Sequence, residues 1–279
     1  IESHVPVETT STGDYKELVD TGGMASGWVG ETGSRSETAT PSLEQVTPSF
    51  GELFALPKAS NWSLEDMFFN VESWLTESAA TEFAKAEGIA ILTGDGTSKP
   101  TGILNGTPVS TDDDASPARA FGTLEYLPTG VAAGFGNDRA ASPPGDPGDV
   151  LRDTVYGIKS GFLTNASWIM NKLTQATVRK WKDADGNYIW QPGLVSGQPN
   201  SLLGYNISEM AGMPNIGANA FPIAFGDFKA GYILVDRVGL SIIRDNLTAK
   251  GHTIFYMSRR MGGKVLDDQA IKLIKCATS

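Results

Sequence analysis

The chain has 279 residues, 40% of them hydrophobic, with 32 Gly and 15 Pro, so it can bury a real core while keeping many turns and extended segments. Its 22 Lys+Arg against 32 Asp+Glu give a net charge of -10, which excludes a chain-wide attraction to nucleic acid. A single cysteine, Cys276, excludes an internal disulfide and makes a reducing cytoplasm the default compartment. The glycosylation sequons at Asn61, Asn165, Asn206 and Asn246 are therefore read as chance. No apolar run reaches the length of a membrane span, and no signal-peptide pattern opens the chain.

Residues 1–26 mix Thr, Ser, Gly and acidic side chains with too few large apolar groups for a core, and predict an extended arm. Two β-capable pieces follow, Trp28–Glu31 and Leu43–Leu56, separated by the turn-rich run from Thr32 to Pro41. They predict a long hairpin across residues 27–57. So little apolar content cannot stabilise a two-stranded hairpin by itself, so it needs a partner surface. From Ser63 to about Gly88 the chain contains no Pro or Gly, and Leu64, Phe68, Val71, Leu75, Phe83 and Ile89 recur at helical spacing. This predicts one helix of roughly 25 residues, near 40 Å at about 1.5 Å per residue. Ser63 with Asp66 reads as its cap. Gly94-Asp95-Gly96 then reads as a tight turn, with both glycines supplying positive φ and Asp95 bonding the backbone.

Asp112, Asp113 and Asp114 could supply carboxylate oxygens to Ca²⁺, but adjacent side chains on a loop diverge, and a solvated acidic loop is expected. After a Gly/Pro-rich stretch ending at Gly148, a helical pattern resumes from Asp149 to about Leu163. Trp168-Ile169-Met170-Asn171 reads as a short apolar strand, and Leu173–Lys182 as a helix with a basic face. Asp183 and Asp185 before Gly186 lack the glycine and glutamate positions of a calcium-binding helix–loop–helix, so this block reads as a turn into a strand. From Gly231 onward the chain is β-rich. Tyr232–Asp236, Leu240–Arg244, Thr253–Met257 and Ala270–Cys276 predict strands, two of them apolar enough to be buried on both faces.

Catalysis has little to stand on. His4 falls in the arm and His252 in a turn, leaving two histidines as candidate bases. There is no Gly-x-Ser-x-Gly, no His-Glu-x-x-His and no cysteine pair for zinc. Gly94–Lys99 lacks the second glycine that a phosphate-binding loop places before its lysine. No catalytic, cofactor-binding or metal-binding residue is therefore assigned.

Phe83-Ala-Lys-Ala-Glu-Gly88, Leu92-Thr-Gly-Asp-Gly-Thr97 and Pro100-Thr-Gly-Ile-Leu-Asn105 resemble the exit of the long helix in tailed-phage major capsid proteins of the Hong Kong 97 type. Later blocks continue the match in order: the helix ending Trp181-Lys182-Asp183, the aromatic strand at Tyr188-Ile189-Trp190, Leu203-Gly-Tyr-Asn-Ile-Ser208, Phe225-Gly-Asp-Phe228 and the strands through Arg259-Arg260. Leu203–Ser208 departs from the family's usual Gly-Leu-Pro-Val wording. The resemblance spans about Gly27 to Lys275.

The resemblance implies an α+β capsid fold with a spine helix, an N-terminal arm (1–26), an extended loop (27–57), a peripheral domain (58–125 with 236–279) and an axial domain (126–235). It implies a structural subunit that self-assembles through hexamers and pentamers into an icosahedral-type shell around double-stranded DNA, in a phage or gene transfer agent. Portal and decoration proteins, and a maturation protease that removes an N-terminal scaffolding segment, are its implied partners. Assembly in a bacterial cytoplasm, with no membrane step, is expected. An encapsulin-like compartment and a nucleotide-dependent enzyme built on the Gly94 turn are the alternatives. One branch of the family welds its subunits by lysine–asparagine isopeptide bonds promoted by a glutamate. Here Thr40 precedes the hairpin's Pro41, no lysine lies between Trp28 and Pro57, and Ala249–Arg260 contains neither Asn nor Glu. The resemblance therefore implies a non-covalent shell.

Overall fold

The computed structural model describes residues 5–11, 15–22, 24–68, 70–135, 147–182, 190 and 201–278. In chain order the elements begin with β1 (Val7–Thr9), β2 (Glu17–Asp20), β3 (Leu43–Val46), β4 (Ser49–Ala55) and β5 (Lys58–Ser60). Then come helices α1 (Asn61–Asp66) and α2 (Val71–Thr93) and strand β6 (Glu125–Pro128). The second half holds α3 (Asp149–Gly157), β7 (Ser167–Met170), α4 (Lys172–Val178), β8 (Ser201–Leu202), β9 (Tyr205–Glu209), β10 (Ile223–Gly226) and α5 (Phe228–Gly231). The long strands β11 (Tyr232–Asp245) and β12 (His252–Val265) precede the last strand, β13 (Ile271–Lys275).

Two mixed sheets carry the fold. A five-stranded sheet has the order β1-β11-β12-β4 with β5 also on β12, and a six-stranded sheet has the order β6-β13-β10-β7-β9-β8. Tyr232–Val235, Ser167–Met170 and Ile271–Ile274 are buried without alternation, as their apolar runs predict for strands covered on both faces. The segments Tyr232–Asp236 and Leu240–Arg244, expected as separate strands, form one strand with register shifts between Asp236 and Ser241. A core cluster including Ile91, Leu92, Ile103, Leu124, Tyr232, Leu234 and Leu273 joins the two sheets through the end of α2. A second, with Trp168, Phe225 and Ile274, belongs to the six-stranded sheet. The outer part of α2 lays Ala79 and Phe83 on Phe255 and Met257 of β12.

Several expectations are corrected. The long helix does not start at Ser63: α1 ends at Asp66, Met67 is extended, and α2 starts afresh behind Asn70, whose side chain accepts from Ser73 N at 3.2 Å. Ser63 is instead the donor to the true cap of α1, Ser60, at 3.1 Å. The buried stripe of α2 runs Val71, Ala79, Phe83, Glu87 and Ile91, while Phe68 and Ile89 are exposed. At 23 residues the helix is about 34 Å long.

No strand forms at Trp28–Glu31. The leg facing β3 is β2, from the predicted arm, in the register Glu17↔Val46 to Asp20↔Leu43. Leu18 and Val19, bracketed by the charged Glu17 and Asp20, suit an exposed edge ribbon, whereas Gly27 and Gly30 on either side of Trp28-Val29 weaken a strand there. The arm is also less free than its composition suggests, because Val5 is buried in the inter-sheet core and β1 runs parallel on β11. In the middle of the chain α3 stops at Gly157 and a separate 3-10 turn, Ser160–Asn165, follows. Helix α4 stops at Val178, four residues short of Lys182. The expected turn and strand around Asp183–Ile189 lie outside the described residues.

Candidate functional site: inter-subunit surfaces and the charge clusters behind them

The turn after α2 is built to close on itself. Gly94 N caps the helix on Ala90 O at 2.9 Å, Thr97 N donates to Asp95 Oδ1 at 2.9 Å, and Gly102 N returns to Gly94 O at 2.8 Å. Gly96 has φ +74, as expected, and so does Ser98 at +55, but Gly94 does not. Its glycine is required by close approach instead: a Cβ there would lie 2.1 Å from Pro100 O. Lys99 folds back on Asp95 at 3.3 Å. With these N–H groups used internally, the segment is a structural joint and not a phosphate cradle.

Two buried charge clusters hold the architecture. On α2, Glu87 is 3% exposed and accepts two bonds from Arg259 Nη1, at 2.8 and 2.9 Å. The same guanidinium donates to Asp236 Oδ2 at 2.9 and 3.1 Å, so helix, β11 and β12 are clamped by one fork. Sequence reading passed over Glu87 because a carboxylate breaks an apolar stripe. Its four-residue spacing from Phe83 and Ile91 was the available signal.

The second cluster overturns the solvated-loop expectation for Asp113, while Asp112 and Asp114 are exposed as expected. Asp113 is buried against Arg119 and lies 3.2 Å from Lys272 Nζ. Arg119 also donates to Glu125 Oε2 and Asp268 Oδ2, each at 3.0 Å, and Lys272 to Glu125 Oε2 at 2.6 Å. Burial pushes the Glu125 carboxyl above its ordinary value, and Lys272 offsets this only in part. Burial works to lower the Arg119 pKa, but the charges of Asp113 and Asp268 outweigh it and hold it raised. The cluster ties the loop before β6 to β13 and floors a cavity of about 300 Å³ whose other wall includes Val19, Asp20 and Glu44 of the ribbon. Among the described residues no group of three or more His, Cys, Asp or Glu is arranged to hold a metal ion.

Catalytic candidates are not brought together. His252 opens β12 with its Nδ1 3.4 Å from Lys250 O, Cys276 is buried with its thiol pKa pushed up by that burial, and His4 lies outside the described residues. Instead, the outward residues are large and apolar. Leu18, Met24, Trp28 and Leu43 are exposed on the ribbon and its connecting loop, and Trp62, Phe68 and Trp74 around the start of α2. Among the described residues no helix is long and apolar enough to cross a membrane.

Two sheets braced by charge clamps, with a two-stranded ribbon and large apolar residues exposed, define a building block that associates with other chains. The chain belongs to the phage capsid family, whose profile matches residues 1–276. It is similar over 99% of its length to a capsid subunit of a native GTA particle, at 43% identity and a TM-score of 0.87, covering 89% of that chain. The capsid of the empty GTA particle gives 42% identity and the same score and coverage. The Mycobacterium phage Cain structure shares the fold at 14% identity and a TM-score of 0.64, covering 99% of this chain and 90% of that one. No curated protein matches. This is accordingly a major capsid protein with the Hong Kong 97-type fold, a structural shell subunit and not an enzyme.

Proposed function

We propose that this subunit forms the icosahedral-type head of a gene transfer agent or related siphophage, assembling through pentamers and hexamers around double-stranded DNA in a bacterial cytoplasm. The 43% identity to a GTA capsid subunit over 99% of the chain carries the reading. In it the arm (1–26) and the loop region (27–57) clasp neighbouring subunits. The five-stranded sheet with α2 serves as the peripheral part, and the six-stranded sheet as the axial part. Portal and decoration proteins, and a protease acting on a precursor, complete the set of partners. The net charge of -10 argues for non-specific enclosure of DNA rather than base-specific contact. Electron microscopy of purified particles, with nuclease digestion before DNA extraction, tests the proposal. Closed shells containing nuclease-protected duplex DNA are expected. A monodisperse monomer would overturn assembly, and closed shells filled with protein cargo in place of DNA would favour a compartment of the encapsulin kind.

A further inference from the structure

Helices α3 and α4 lie on one face of the six-stranded sheet, where Leu151, Val155 and Val178 pack with Trp168, Met170, Phe225 and Ile274. Helix α4 is held firmly there. Thr174 N donates to Asn171 Oδ1 at 2.7 Å, while Asn171 Nδ2 donates to Met213 O at 3.0 Å and to Asn215 Oδ1 at 2.8 Å. The outward side of the segment runs Lys172, Leu173, Ala176, Thr177 and Lys180, all exposed at helical spacing, with Lys180 in the turn that follows the helix. Arg179 lies over the Trp190 ring at 4.8 Å, and Lys182 is exposed.

Residues 172–182 thus hold four of the chain's 22 Lys+Arg and none of its 32 Asp+Glu, and Asp183 bounds the run. Helix α3 beside it is balanced. Asp149 pairs with Arg152 at 2.5 Å, and the exposed Asp153 is offset by the exposed Lys159. Lys172 and Lys180 have no ion pair among the described residues. Nor does Lys172 serve its own helix: it holds the first position of α4, where the positive end of the dipole repels a cation, and no acidic residue in the first turn compensates. On a chain of net charge -10, cations placed against local preference point to an anionic partner outside the fold.

The spacing suits a charged rod. Eight positions at about 1.5 Å each put Lys172 and Lys180 about 12 Å apart, close to the roughly 12 Å width of the duplex major groove. The small Ala176 and Thr177 between them let a broad surface approach. A lysine is a point charge on a flexible stem, so it meets a phosphate whatever the base sequence. One acidic subunit binds a duplex weakly, but a shell repeats the contact over many copies. We infer that this face of the six-stranded sheet is turned to the lumen, and that Lys172 and Lys180 contact phosphates of the enclosed duplex DNA without reading its sequence. The inference rests on the shell reading and names the side of the subunit that meets the DNA.

For the test, DNA-filled particles and particles emptied by osmotic shock and nuclease are treated with a small amine-acetylating reagent, and each lysine is read by mass spectrometry. Lys172 and Lys180 are expected to be labelled about fivefold less, or lower still, in filled particles, because phosphates occupy their ammonium groups; Lys58 and Lys250 of the five-stranded sheet should differ by less than about twofold. Separately, K172E/K180E and the charge-preserving K172R/K180R are compared for nuclease-protected DNA per subunit. The first is expected to lower it by about twofold or more and the second to leave it unchanged. Circular dichroism and melting of unassembled subunits report folding, and if K172E/K180E forms no shells the wild-type labelling decides alone. Equal labelling of Lys172 and Lys180 in filled and emptied particles overturns the contact: high in both, the face is in solvent away from DNA; low in both, another protein chain covers it. K172E/K180E shells with wild-type DNA content overturn it as well. Failure of the wild-type chain to form DNA-filled shells overturns the shell reading and this contact with it, a result distinct from equal labelling in particles that do hold DNA.

Discussion

Replacing Arg259 with Met leaves Glu87 in the interface between α2 and the five-stranded sheet without the fork that neutralises it. Glu87 is 3% exposed and loses two charge-assisted bonds of 2.8 and 2.9 Å. Breaking a buried pair from one side costs about 3–5 kcal/mol, since a desolvated charge remains. The Arg259 side chain is itself 20% exposed, so water can reach part of the cluster, and discounting for that screening leaves about 2–3 kcal/mol. For a chain of this size that corresponds to roughly 4–12 °C in Tm. Urea and thermal unfolding of the unassembled subunit measure the loss directly. Adding Glu87→Leu to Arg259→Met removes the buried Glu87 charge, leaving Asp236 uncompensated equally in both variants, and is expected to regain about 1 kcal/mol or more over Arg259→Met alone. The clamp argument fails if Arg259→Met costs less than about 0.5 kcal/mol, or if the double variant is no more stable than the single one.

The Glu125 carboxyl has a folded-state pKa raised above its ordinary value of 4.5 by burial. The folded state thus holds this proton more tightly than the unfolded chain, and the group's favourable contribution is lost as pH rises through the raised pKa. Urea midpoints of the wild type relative to Glu125→Gln are therefore expected to fall between pH 4 and 7; a flat or rising difference would refute the assignment. Hydrogen exchange of unassembled subunits is expected to be slow at Leu234 and Val235, which Val5–Thr9 cover, and fast across residues 24–42, which contain no strand. Shell assembly should slow the second region, and equal rates in both states would count against a clasp. With no lysine between Trp28 and Pro57, denatured particles are expected to run as a single band near 29.6 kDa; a ladder of multimers would show covalent welding by another route.

Several features were legible locally because each is decided by neighbours along the chain. Apolar runs at Trp168–Met170 and Tyr232–Val235, and a near-continuous one at Ile271–Ile274 broken only by Lys272, announce strands buried on both faces. The stretch free of Pro and Gly announces a long helix, and the order of motifs from Phe83 onward announces the capsid fold. The helix start was not legible, because Ser60, Ser63 and Asn70 all have side chains able to cap. Which of them does so depends on how the segment packs on β12. The ribbon's true pairing was hidden for a related reason: Glu17–Asp20 meets Leu43–Val46 across a loop whose Trp28 looks more strand-like by composition. Least visible were the charge clusters. A carboxylate such as Glu87 or Asp113 reads as solvated surface in a sequence, since burial of a charge is unfavourable unless a counter-ion is supplied. That counter-ion comes from Arg259, 172 residues from Glu87, and from Arg119 and Lys272 around Asp113. Sequence alone therefore determined the elements and the kind of fold, through hydrophobic period and turn chemistry. Tertiary structure decided where charge is buried and which strands meet, because both depend on partners that only folding brings within a few ångströms.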